Sequence, residues 1–197
     1  MEIAVIDYKG GNVQSVLFAL ERLGVQATLT SDEEVIRRAD KILFPGEGEA
    51  ASAMSELRAQ GLDKLLPTLT QPFLGICLGM QLLGTHSEEN DADLLGILPF
   101  EVKRFPADAN HKVPHMGWNT LQNLSSPLFA GLRSEEDYVY FVHSYYAPVG
   151  DYTIAEAAYP APFSAAVQHR NFYAVQFHTE KSGPVGTRIL ENFLKLL

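Results

Sequence analysis

Apolar residues in the first half of the chain fall into short unbroken runs separated by stretches of helical periodicity. Glu2 to Asp7 holds the run Ile3-Ala4-Val5-Ile6, and within Asn12 to Leu23 the residues Val13, Val16, Leu17, Leu20 and Leu23 share one helical face. Together they predict one βα unit. Lys41 to Phe44 and Phe73 to Ile76 repeat the pattern, each closed by a Pro/Gly turn or a sharp Gly-x-Cys turn and followed by a helical stretch. Repeated βα units place strands side by side in parallel, with helices on both faces. The second half differs. Tyr138 to Tyr146, Tyr152 to Ala158, Ser164 to His169 and Phe172 to Phe177 are strand-like, and the short turn-rich gaps between them suit antiparallel hairpins. Pro184 to Leu197 predicts a closing helix that covers the sheet, with Val185, Ile189, Phe193 and Leu197 at every fourth position. The pattern predicts an α/β fold with a mainly parallel central sheet flanked by helices and antiparallel strands in the C-terminal half.

Composition narrows the class. A chain of 197 residues, 46% hydrophobic and 20% charged, suits a single domain over 1–197 with a sizeable core, and disorder is excluded as its main state. Fifteen Lys and Arg against 24 Asp and Glu leave a net charge of −9, a field that repels phosphate backbones and anionic lipids. No nucleic acid and no membrane are therefore expected as partners. Glu2 stands where a secretion signal needs basic residues, and Phe73 to Gly84, the longest mostly apolar stretch, falls short of the roughly 18 residues that span a bilayer. A cytoplasmic location is expected. The acidic stretch Glu88 to Asp93 reads as a solvated loop, and Pro114 argues against a helix that would present His111 and His115 together, so no metal site is predicted.

Cys77 is the one cysteine, so a disulfide within the chain is excluded and the lone thiol is either packing or chemistry. Its setting favours chemistry. In Gly75-Ile76-Cys77-Leu78-Gly79 a nucleophile between two glycines follows a strand and opens a helical run, Leu78 to Leu83, as a strained strand-to-helix turn requires. Unpaired N–H groups at such a turn stabilise a thiolate, and the Leu78 N–H is placed for a developing oxyanion. The base is predicted in His178-Thr179-Glu180, directly after the strand Phe172 to Phe177, where an extended backbone would project His178 and Glu180 to one face. Pro45-Gly46-Glu47-Gly48 follows another strand and on its own reads as an ordinary turn, whose flexible backbone could alternatively direct an N–H to the same pocket as a second oxyanion donor.

Gly75-Ile76-Cys77-Leu78-Gly79-Met80-Gln81 and Phe177-His178-Thr179-Glu180 resemble the nucleophile and His/Glu segments of the class I (triad) glutamine amidotransferases. Three further segments, Asp7 to Asn12, Pro114 to Asn119 and Tyr140 to Tyr145, resemble the branch of that family which serves histidine biosynthesis. The resemblance runs through nearly the whole chain. It implies a flavodoxin-like layered fold and hydrolysis of L-glutamine without a cofactor, with Cys77 as nucleophile, His178 as base then acid, and Glu180 as the orienting carboxylate. It further implies an oxyanion hole from Gly46, Glu47 and Leu78, with the Gly46–Glu47 peptide reorienting when partner and ligand bind. Glutamine would be held by Gly48, Gln81, Ser144 and Tyr145. The partner implied is the barrel-shaped cyclase subunit of imidazole glycerol phosphate synthase, in a heterodimer whose interface would include Asn12, Trp118, Tyr140 and Lys181.

Three positions depart from the family pattern: Glu47 where an apolar residue is usual, Thr179 in place of a proline, and Lys9 in place of a glycine. Glu47 is predicted to face solvent or a partner, since a carboxylate turned inward would oppose oxyanion charge. Competing readings are a glutaminase subunit of another synthase (anthranilate, aminodeoxychorismate, guanylate, pyridoxal phosphate), a non-catalytic α/β binding module in which Cys77 only packs, and a cysteine peptidase or esterase on a similar sheet.

Overall fold

The structure is a computed structural model that describes residues 1–10, 13–106 and 111–197. Its elements run β1 (Ile3–Ile6), α1 (Val13–Arg22), β2 (Thr28–Thr30), α2 (Glu33–Arg38), β3 (Lys41–Gly46), α3 (Ala50–Ala59), α4 (Leu62–Leu65), β4 (Phe73–Cys77) and α5 (Leu78–Gln81). They continue with β5 (His86–Ser87), β6 (Ala92–Asp93), β7 (Glu101–Arg104), β8 (His115–Thr120), β9 (Tyr138–His143), β10 (Tyr145–Tyr146), β11 (Thr153–Ala158), β12 (Pro162–His169), β13 (Phe172–Val175) and α6 (Gly183–Leu196).

The main sheet has the order β11-β12-β13-β4-β3-β1-β2. Strands β2, β1, β3, β4 and β13 are parallel neighbours, whereas β11 and β12 add antiparallel to β13. Strand β13 is thus the junction between the two halves. It reaches β4 by pairing Ala174 with Gly75 and Val175 with Ile76, so the residues after both strands emerge together at their carboxyl ends. Sites in open α/β sheets gather at that edge.

Both faces are packed. Phe44, Phe73, Leu57 and Leu62 lie in a core against α3 and α4, while Val16, Leu20, Phe163, Phe177, Ile189 and Phe193 form the core under α1 and α6. Each such side chain contributes about 1.5–3 kcal/mol on burial. Lys41 is buried at the start of β3, where its Nζ donates to the Phe193 carbonyl at 3.1 Å and stands over the Phe193 ring; burial lowers its pKa. A cation is well placed among the last carbonyls of α6.

Two smaller assemblies sit at the edge that carries the site: a sheet of order β10-β7-β5-β6 and the ribbon β8-β9. The acidic stretch Glu88 to Asp93 is solvated as expected at Glu88, Asn90, Asp91 and Asp93, but it is not a bare loop, since a 3-10 turn over Glu89–Asp91 leads into β6. Glu89 accepts from the Ala50 N–H at 2.8 Å, Glu88 accepts from the Arg104 N–H at 2.7 Å, and Ala92 is buried in β6. Backbone donors at the start of α3 and in β7 recruit those carboxylates. No helix among the described residues is long and apolar enough to cross a membrane.

Candidate active site

The turn from β4 into α5 carries the strain that a nucleophile between two glycines implies. Cys77 takes φ 56° and ψ −111°, a region costly for a residue with a side chain. Both glycines are sterically required. A Cβ on Gly79 would run into the Phe44 carbonyl oxygen, and one on Gly75 would lie 2.8 Å from the Gly79 carbonyl oxygen. Helix α5 is one turn, shorter than the predicted Leu78 to Leu83, so its local N–H groups rather than a long dipole act on the thiol. Lys9 shows why its position favours glycine: φ is 61° there.

His178 follows β13 with extended backbone, and its Nδ1 lies 2.7 Å from Glu180 Oε1, both side chains almost fully enclosed. The pair meets differently from the strand alternation predicted. Thr179–Lys181 is a turn of 3-10 helix, so the chain curls to bring the carboxylate back under the ring. Ser182 pins that turn, with its Oγ donating to the His178 carbonyl at 2.6 Å and accepting from the Tyr140 N–H at 2.9 Å. Tyr140 also accepts from the His178 N–H at 2.9 Å, which ties ribbon strand β9 to the histidine. Thr179, where a proline is usual, is buried and held by this network.

The ring is a strong base in this setting. Burial works against the charged imidazole, yet contact with Cys77 and with Glu180 outweighs it and pushes His178 up to about 10. His178 Nε2, the nitrogen turned away from Glu180, is buried and makes no well-aligned hydrogen bond in this arrangement. The nitrogen facing away from Glu180 is therefore the one left for chemistry.

Cys77 and His178 line a cavity of about 630 Å³ together with Glu47, Gly48, Leu78, Gln81, Ser144 and Tyr145. Its size suits a small polar ligand. Every predicted substrate-holding residue is in that wall. Gly46 stands in register with Cys77 across β3 and β4, one residue back from the wall. Glu47 lines the cavity yet is exposed, with its carboxylate 3.8 Å from Lys181 Nζ. Trp118 and Tyr140 pack edge to face at 5.7 Å on the ribbon, outside the cavity, and Trp118 is exposed. Asn12 lies outside the described residues.

Several cavity-shaping residues gave no signal in the sequence. Gln176 is fully buried, its Nε2 3.8 Å from Cys77 Sγ and its Oε1 accepting from Gln81 Nε2 at 3.0 Å. Gln81 Nε2 also reaches the Tyr145 carbonyl at 3.0 Å, so both amide hydrogens of that side chain are engaged. His143 Nδ1 lies 2.8 Å from the same carbonyl, and its Nε2 lies 3.0 Å from His115 Nδ1. A carbonyl only accepts, so His143 carries its proton on Nδ1 and takes one from His115 on Nε2. Burial pushes His143 down to about 3 and His115 down to about 4, which keeps both rings neutral.

The chain matches the family model for glutamine amidotransferase class-I over residues 4–197. The protein belongs to this family. It is 55% identical over 197 residues, the full length of both chains, to the imidazole glycerol phosphate synthase subunit HisH of Bacteroides thetaiotaomicron. It is 50% identical to HisH 2 of Legionella pneumophila (strain Paris) over 98% of each chain, and 46% identical to HisH of Vibrio cholerae over 98% of each. Among solved structures, the crystal structure of a glutamine amidotransferase matches 98% of this chain and 97% of its own with a TM-score of 0.75 at 20% identity, a likeness of fold. As a glutamine amidotransferase, the chain has at its sheet edge the residue types that release of ammonia from an amide requires.

Proposed function

We propose that this protein is the glutaminase subunit of an imidazole glycerol phosphate synthase, a single amidotransferase domain over 1–197 acting in the cytoplasm. The observation that carries the reading is the strained Cys77 on the wall of a cavity it shares with a buried, Glu180-backed His178. Full-length relatives of 46–55% identity that bear that subunit name support the choice of synthase.

Cys77 attacks the side-chain amide carbon of glutamine as a thiolate, and the carbonyl oxygen takes up negative charge opposite N–H groups of Leu78 and of the Gly46–Glu47 peptide. His178, held protonated by its two neighbours, gives its proton to the leaving nitrogen as the carbon–nitrogen bond breaks. Ammonia departs and a γ-glutamyl thioester remains. The neutral ring then takes a proton from water, whose oxygen attacks the thioester carbon, and glutamate and the thiolate are released. Glu180 keeps the proton-bearing Nδ1 fixed throughout. Gly48, Gln81, Ser144 and Tyr145 hold the substrate, and these steps need neither metal nor organic cofactor.

Ammonia set free in neutral water becomes ammonium and loses its nucleophilic lone pair, so the acceptor site must adjoin this one. That site belongs to a second chain, the barrel-shaped cyclase subunit, which uses ammonia to form imidazole glycerol phosphate and an aminoimidazole carboxamide ribonucleotide. The ribbon bearing Trp118 and Tyr140, with Asn12 and Lys181, forms its docking surface. Ligand in the cyclase acts back on glutamine hydrolysis through the Gly46–Glu47 peptide. Glutamine-dependent ammonia release, measured with and without the cyclase and its nucleotide ligand, tests the assignment. Stimulation by the cyclase supports it, and stimulation only by a chorismate-using chain overturns it.

A further inference from the structure

Tyr8 is placed with unusual care for a residue just beyond a strand. Its ring is 1% exposed and packs against Phe44 at 5.4 Å between centroids. Two glycines make room for it: a Cβ on Gly10 would collide with the ring, and a Cβ on Gly46 would collide with the hydroxyl. The hydroxyl is nevertheless buried without a hydrogen-bond partner. An unpaired buried hydroxyl is unfavourable, and phenylalanine would fill the same space without that penalty. The hydroxyl thus lacks a structural reason in this arrangement of the chain.

Topology supplies one. Strand β3 runs between β4 and β1, so Gly46 has Cys77 on one flank, in register with it, and the turn after β1 that carries Tyr8 on the other. A peptide plane carries its N–H and its C=O on opposite edges. When the Gly46–Glu47 peptide presents the Glu47 N–H toward Cys77, the Gly46 carbonyl is carried toward Tyr8. We propose that Tyr8 is a positioning residue for this peptide, its hydroxyl donating to the Gly46 carbonyl in the orientation that binds the oxyanion. The hydrogen bond exists in the working orientation and is absent from the resting one, so the orphaned hydroxyl favours the switch. The burden of an unpaired donor in the resting state is exchanged for a preorganised oxyanion site when glutamine is bound. This rests on the glutaminase reading above.

The test is Tyr8→Phe in the full chain, assayed for glutamine hydrolysis together with the cyclase and its nucleotide ligand, with thermal unfolding of the free chain measured in parallel. Loss of one hydrogen bond made only in the working orientation lowers kcat about tenfold and leaves KM within about twofold. The melting temperature stays level or rises, because the variant removes an unsatisfied group. A merely packing role for Tyr8 would leave kcat unchanged, which overturns the proposal. A fall in melting temperature would show that the hydroxyl already has a partner at rest, a bound water included, and overturns it as well. If the wild-type chain hydrolyses no glutamine, the functional reading fails and takes this one with it; an active wild type with an equally active Tyr8→Phe sinks Tyr8 alone.

Discussion

His178 Nδ1 and Glu180 Oε1 are joined at 2.7 Å across a turn of 3-10 helix that Ser182 fastens to both His178 and Tyr140. The joint fixes which nitrogen of the ring faces the thiol, and it does so with backbone that continues directly into α6. Side-chain direction here is set by the curl of the chain rather than by strand pleating.

Glu180→Gln keeps the shape of that joint and removes its charge. Proton transfer by an improperly supported ring lowers kcat by at least about 100-fold. Stability changes with pH as well. The folded His178 is raised from 6.5 to about 10, so the stability it contributes is fully present below pH 6.5 and is lost as pH rises toward 10. Urea unfolding between pH 6 and 10 is expected to show a downward slope in the wild type and a flatter one in Glu180→Gln.

Gly79→Ala and Gly75→Ala separate two degrees of crowding around the nucleophile. The Gly79 methyl would meet the Phe44 carbonyl, backbone in the centre of the sheet, while the Gly75 methyl would lie 2.8 Å from the Gly79 carbonyl and 3.0 Å from the Ala174 Cβ. The first costs about 3 kcal/mol or more and the second about 1–3 kcal/mol, read by chemical denaturation.

The neutral His115–His143 pair predicts acid sensitivity. Both groups are depressed in the fold, to about 4 and about 3, from 6.5, so their contribution is present above pH 6.5 and is lost as pH falls through those values. His115→Phe retains a ring stacked on Phe141 and Tyr159 and removes one of the two protonation sites. Its unfolding free energy is expected to fall less steeply between pH 6 and 4 than that of the wild type, by close to one proton in slope.

The parts of the fold carried by strong periodicity were legible. The helical face from Val13 to Leu23 appears as α1, and the Gly-x-Cys-x-Gly spacing appears as a strained turn. Strand β2 was not legible, since Thr28–Thr30 at the sheet edge is only three residues long and largely exposed. Strand β8 was hidden for the opposite reason: Met116 and Trp118 point outward in it while His115 is buried, the inverse of an ordinary hydrophobic pattern. Gln176 and Tyr8 each sit beside apolar runs whose spacing says nothing about a buried polar atom. Their importance depends on neighbours roughly 40 to 100 positions away, which only the folded chain brings close.

Ser182→Ala removes the acceptor of the Tyr140 N–H and the donor to the His178 carbonyl together. Stability is expected to fall by about 1–2 kcal/mol, because a partly buried N–H is left unpaired. Activity falls beyond what unfolding explains, since the ring loses its fixed seat. Turnover measured well below the melting transition of the variant separates the two effects.

The role of Cys77 as nucleophile is decided by ammonia release from glutamine, compared between the wild-type chain and Cys77→Ala, each assembled with the cyclase. Turnover is expected from the wild type and none above the uncatalysed blank from Cys77→Ala, with the variant still co-eluting with its partner. Glutamine hydrolysis that survives removal of this sulfur would contradict a thiolate mechanism at this site.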